Sequence, residues 1–228
     1  MEAQSSPKGS LSAKAYNLLY EGIVTLQYKP GLHLDEKELV SQLGIGRTPV
    51  REALLRLASE MLVDSHHNKG FVVRPITLQS TRAVFEALNV LEIAVANLAV
   101  QRDLAGNLLK LEEAQTQVKI SIDQDDLWGL VSSNDEFHMA FARCSGNLYL
   151  VKALRDVRHE ANRLAYLSFG HEFFRGNSMT QHYASVIEQH RQIIGGLQEK
   201  NKTALEQVVT EHIQAFRNRI VLYLTSTI

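Results

Sequence analysis

At 228 residues, with 45% hydrophobic and 21% charged content, the chain has the balance of a soluble globular protein with room for two ordinary domains. A net charge of −1 excludes a uniformly basic nucleic-acid binder, so any DNA contact has to come from a local patch. The single cysteine, Cys144, excludes an intrachain disulfide; no apolar run reaches membrane-spanning length, and MEAQSSPKGS has no hydrophobic signal core, which points to a cytoplasmic protein.

Residues 1–10 read as a disordered leader. Leu11–Gln27 predicts a helix with Ala15, Leu18, Leu19, Ile23 and Leu26 on its apolar face, and Pro30-Gly31 marks a turn. Asp35–Met61 then predicts two short helices joined tightly. Asp35 caps the first, with Glu38 completing a capping box, and Gly44 supplies the left-handed residue that ends it. Thr48 is expected to cap the second, with Pro49 at its first position. Val50, Leu54, Leu57 and Met61 form the buried stripe of that helix, while Arg47, Thr48 and Arg51 gather at its N-terminal end, off the stripe. Arginines offered from a first turn are how a helix-turn-helix reads the major groove. The alternative on this pattern alone is an ordinary helical hairpin with solvated arginines. The following residues favour the former: β-prone runs at 62–65 and 71–74 flank a polar turn, predicting a hairpin wing. Its tip, Asn68-Lys69-Gly70, is small and positive, suited to a phosphate or the minor groove. Lys37, Arg47, Arg51, Arg56 and Lys69 make up the basic patch, modest enough to imply two copies acting together.

From Thr77 the texture changes to long amphipathic stretches at 78–102, 104–122, 124–144, 148–168, 178–199 and 202–226, with a capping box at Ser178 and Gln181. The expected fold class is mainly α. A winged helix-turn-helix DNA-binding domain at 11–76 precedes an antiparallel all-α bundle of about six helices at 77–228.

Three of these helices carry an apolar stripe with a histidine in the middle: Leu127, Val131, Asn134, His138 and Phe141; Tyr183, Ile187, His190, Ile194 and Leu197; Leu205, Val209, His212, Phe216 and Ile220. Each buried imidazole needs a partner. If the last two helices turn at Asn201, His190 and His212 both lie eleven residues from the turn, about 16 Å from the tip at 1.5 Å per residue. Asn134 is one helical turn before His138. Three imidazoles and a side-chain oxygen then converge, a donor set that suits zinc, nickel, manganese or iron without selecting among them. The alternative is a metal-free buried hydrogen-bond network. His159, His171 and His182 do not share the pattern; His182 is about 80° round its helix from His190.

These residues resemble a known family. EKELVSQLGIGRTPVREALLRLASEMLV followed by a glycine-ended wing is similar to the GntR winged helix. NDEFHMAFARCSGN, EQHRQIIGGL and EHI are similar to the FCD ligand-binding domain of the FadR-type branch. The resemblance implies a homodimeric transcription factor on a palindromic double-stranded operator, with a small metabolite, often a carboxylate, changing DNA affinity from within the bundle. Carried over by position, Arg47, Thr48 and Arg51 contact DNA, assisted by Lys37 and the wing turn, and Asn134, His138, His190 and His212 surround a divalent metal. Two positions depart from the family pattern. Asn134 stands where aspartate is frequent and leaves the site more positive, and Leu88 in FEALNVLE stands where many relatives carry an arginine near the effector pocket.

Two other readings compete. A metal-dependent enzyme fused to a DNA-binding module would want a general base beside the metal, but no HExxH motif occurs and no acid shares the histidine stripes. A bundle that only dimerises would need neither metal nor effector.

Overall fold

The computed structural model describes residues 8–66, 70–169 and 177–226. They form two compact units that divide between Thr77 and Leu78.

In the first unit α1 (Lys8–Val24) precedes a short strand, β1 (His33–Leu34). Helices α2 (Glu36–Leu43) and α3 (Arg47–Ser59) follow, then β2 (Val63–His66) and β3 (Gly70–Val73). Helix α1 starts within the stretch read as a leader, at Lys8; residues 1–7 lie outside the described residues. Its buried face is Ala15, Tyr16, Leu19, Ile23 and Val24, whereas Leu18, expected inside, is exposed. The Tyr16 ring packs beneath Arg56 and takes that place in the core. Helix α2 starts as expected: Asp35 Oδ1 accepts the N–H groups of Lys37 (2.7 Å) and Glu38 (3.0 Å), and Gly44 closes the helix at φ +62°.

The start of α3 differs from the expectation. Gly46, not Thr48, is the capping residue, so Pro49 is the third helical residue rather than the first. That costs no intrahelical bond, since none of the first N–H groups has an acceptor within the helix. Its end differs too. Met61 N–H donates to Ala58 O and Leu62 N–H to Leu57 O, a Schellman closure with Met61 at φ +62°. Met61 is therefore an exposed C-terminal residue, and Ala53 joins Val50, Leu54 and Leu57 in the buried face.

The sheet order is β1-β3-β2, antiparallel throughout, with Ser65 opposite Phe71 and Leu34 also opposite Phe71. The hairpin was legible in the sequence. Strand β1 was not, because two residues carry no periodicity.

The second unit contains α4 (Leu78–Ala99), α5 (Ala105–Asp123), α6 (Leu127–Cys144), α7 (Leu148–Phe169), α8 (Asn177–Gln198) and α9 (Lys202–Ser226). All six expected helices are present among the described residues, with ends shifted by up to three residues. The Ser178 side chain, the first half of the expected capping box, lies outside the described residues. No described helix is long and apolar enough to cross a membrane.

Candidate metal centre and nucleic-acid interface

In the first unit Lys37, Arg47, Thr48 and Arg51 are all exposed. One carboxylate organises the two arginines: Glu36 Oε1 lies 3.1 Å from Arg51 Nη1 and Glu36 Oε2 lies 3.5 Å from Arg47 Nε. The guanidiniums stay 69% and 57% exposed for Arg47 and Arg51, so these pairs steer more than they stabilise. Arg56 does not join this cluster. It pairs with Glu60 at 3.0 Å and lies 3.7 Å over the Tyr16 ring, bracing α3 against α1. At the wing, Gly70 is required twice: its φ is +77°, and a Cβ there would meet His33 Nε2 at 3.0 Å. Asn68 and Lys69 lie outside the described residues.

In the second unit the three stripe histidines meet. Asp126 caps α6 by accepting the Gly129 N–H, and the helix turns His138 and Phe141 fully inward. Helices α8 and α9 approach closely at their shared end, where a Cβ on Gly196 would come 3.3 Å from that of Leu205. His190 and His212 therefore stand at one level, ring centroids 5.0 Å apart, and His138 lies 5.6 Å from the first and 5.2 Å from the second. One nitrogen from each ring falls within 4.8 Å of the others.

The outer nitrogens explain which inner ones converge. His190 Nδ1 lies 2.7 Å from Gln115 Oε1, and the Gln115 amide is oriented by its own Nε2–H bond to Ile187 O. His212 Nδ1 lies 2.9 Å from Gln189 Oε1. His138 Nδ1 lies 3.0 Å from Glu92 Oε1 in a bent geometry that makes no straight hydrogen bond. With the Nδ1 atoms of His190 and His212 facing amide oxygens and that of His138 facing Glu92, the Nδ1–H tautomers fit all three outer contacts and turn the Nε2 lone pairs inward. His138 Nε2 and His212 Nε2 are 3.3 Å apart, and His190 Nε2 is buried with no hydrogen-bond partner. Ligands about 2.0–2.1 Å from a tetrahedral zinc are separated by about 3.3 Å. Asn134 is half-buried and lines the cavity beside His138 and His212. The donor set fits a divalent transition metal.

Electrostatics agree. Burial pushes His138 down, His190 well down and His212 down to about 3, so all three are neutral, as ligands must be.

A cavity of about 50 Å³ adjoins the centre. Its polar side includes Asn134, Arg158, His182 and Gln189, and its apolar side Leu88, Leu130, Ala165 and Phe216. His182, set aside from the stripe, thus returns as a cavity residue: the cavity spans a wider arc of α8 than one stripe covers. On α7 the lining residues are Arg158, Ala161, Ala165 and Phe169. The sequence reading also missed Glu92, Gln115 and Gln189. Glu92 carried a signal, since it is the one charge in the buried stripe Phe85, Leu88, Glu92, Ala96, Ala99. The glutamines carried none, because amides are ordinary on half-exposed faces.

Stability should follow these histidines. Burial holds His182, like His212, down to about 3, whereas the unfolded chain protonates near pH ~6.5. Between those values the unfolded state binds more protons, so stability rises with pH and is lost as pH falls. The urea midpoint of metal-free protein should be lower at about pH 5 than at about pH 7.5; equal midpoints would contradict the neutral, buried assignment.

Residues 11–73 match the family described as "Bacterial regulatory proteins, gntR family", and residues 83–215 match "FCD domain". The HTH-type transcriptional repressor RspR of Escherichia coli (strain K12) is 26% identical over 214 residues, 94% of this chain and 90% of its own length. The Nta operon transcriptional regulator of Aminobacter aminovorans is 26% identical over 204 residues, covering 87% and 89%. In fold the chain is similar to E. coli McbR/YncC, with a TM-score of 0.77 at 22% identity, covering 96% of this chain and 99% of that one.

Proposed function

We infer a metal-dependent, effector-responsive switch for a chain that belongs to the GntR family of bacterial regulatory proteins and carries an FCD domain. It is a transcription regulator with a helix-turn-helix DNA-binding domain, not an enzyme. In our reading it works in the cytoplasm as a homodimer on a palindromic operator, a twofold arrangement that doubles a modest basic surface. Arg47, Thr48 and Arg51 enter the major groove, Lys37 meets the backbone, and Asn68, Lys69 and Gly70 of the wing turn meet phosphate or the minor groove. His138, His190 and His212, with the Asn134 amide oxygen, hold a zinc, nickel, manganese or iron ion. The bound metal supplies a positive centre with open positions. A small carboxylate effector entering the adjoining cavity is oriented there by Arg158 and Gln189, in surroundings dry enough to strengthen charge attraction. Its binding changes operator affinity by favouring one of two arrangements of the dimer.

The observation that carries the reading is the meeting of three inward Nε2 atoms. In a metal-free bundle with Nδ1–H tautomers, the lone pairs of His138 and His212 facing at 3.3 Å repel, and one ring would have to change tautomer or take up a second proton to bond the other. A cation removes that conflict. The test is metal bound per chain after purification without chelator, together with the change in operator affinity across a panel of small carboxylates, for wild type and His190→Ala. Wild type should carry metal and respond to a carboxylate. His190→Ala should lose both while retaining basal operator binding. A variant that binds as much metal and responds equally overturns the assignment.

A further inference from the structure

The four inward donors assigned to the centre, three imidazoles and the Asn134 amide, bring no negative charge. A divalent cation in a buried site requires some. The nearest fully buried carboxylate is Glu92, at 1% exposure, reaching His138 from α4. Its presence is otherwise unexplained. It lies 3.0 Å from His138 Nδ1, neither oxygen makes a straight hydrogen bond, and its ion pair with Arg158 is long, at 3.8 Å. Arg158 has a better partner in Asp135, whose Oδ1 lies 3.1 Å from its Nε. A carboxylate placed this way is costly in an apolar bundle unless a positive charge lies within reach.

We propose that Glu92 is the positioning residue that supplies, through the His138 ring, the negative charge that Asn134 does not bring to the metal. This rests on the metal reading above. A carboxylate behind an imidazole orients the ring, raises the basicity of its inner nitrogen, and neutralises part of the cation's charge from one ring further out. Gln115 and Gln189 perform only the first of these tasks for His190 and His212. The centre is thus asymmetric, with one charged and two neutral outer partners. The bent contact fits the electrostatic part of this role, which depends on distance more than on hydrogen-bond direction.

Zinc affinity, measured on the full-length protein by competition with a chromophoric chelator, tests the proposal in four chains: wild type, Glu92→Gln, Asn134→Asp, and the double variant. Glu92→Gln keeps shape and an acceptor oxygen and should bind zinc about 10–100-fold more weakly. Asn134→Asp moves a charge into direct contact and should bind more tightly than wild type. In the double variant it should recover most of what Glu92→Gln lost. Melting of the metal-free chains separates a structural role: without zinc, Glu92→Gln should be no less stable than wild type, because Arg158 keeps its closer partner Asp135. Unchanged zinc affinity in Glu92→Gln overturns the proposal. So does a loss that Asn134→Asp fails to recover, or a loss matched by lower metal-free stability. A wild type that binds no zinc, nickel, manganese or iron would instead remove the metal reading itself, and this inference with it.

Discussion

Replacing Phe137 by alanine should cost about 3–5 kcal/mol of stability, the range for deleting a fully buried aromatic ring. Phe137 has no exposed surface, and its ring stacks on His190 at 3.7 Å and 7° while meeting His138 edge-on at 5.7 Å. The loss is therefore expected in two currencies. The cavity lowers the denaturation midpoint, and His190, no longer clamped on its flat face, loses metal affinity as well. Phe137→Leu separates the two, since it keeps much of the volume and removes the flat face. Zinc affinity should fall in Phe137→Leu even where the fold persists at room temperature. If it does not, the Gln115 contact alone orients His190.

The second large effect is on DNA. Arg51→Ala should remove about 1–3 kcal/mol of discrimination between the operator and a scrambled duplex, the value of one bidentate guanine contact. Each palindromic duplex should take up two chains, so the loss counts once per half-site. Affinities are to be compared across a salt series, because phosphate contacts alone change steeply with salt. Operator binding by Arg51→Ala equal to wild type at every salt concentration would remove α3 as the recognition helix.

Much of this architecture was legible in the sequence, for identifiable reasons. Long amphipathic helices announce themselves by period, and α2 and the wing carry local turn chemistry in Asp35, Gly44 and Gly70. The three converging histidines were found because each interrupts an apolar stripe, and equal spacing from Asn201 placed two of them at one height. The misread residues lie where local signals compete. Thr48 and Gly46 are both acceptable helix caps, and Pro49 fits any of the first helical positions, so the start of α3 was placed two residues late. Met61 continues a stripe by spacing but belongs to a left-handed closure. Glu92, Gln115 and Arg158 reach the centre from α4, α5 and α7, none of which carries one of the three histidines, and Gln189, though on α8, serves His212 on α9; no spacing within one helix reveals what another lays against it.

On the proposed function, Glu36 makes the surface of Arg47 and Arg51 an ion exchanger. Before a duplex arrives, its carboxylate already holds one nitrogen of Arg51 and one of Arg47. A backbone phosphate meeting either arginine replaces an anion already in place instead of filling an empty slot. Fewer small counterions are then set free than a count of arginines implies, and the salt series should give a correspondingly shallow slope. A base edge is different, because a guanidinium has five donors and can keep its carboxylate while offering the rest of its fork. Random sequence should then be held more loosely than the number of arginines suggests, which suits a protein that has to find one short address on a long chromosome.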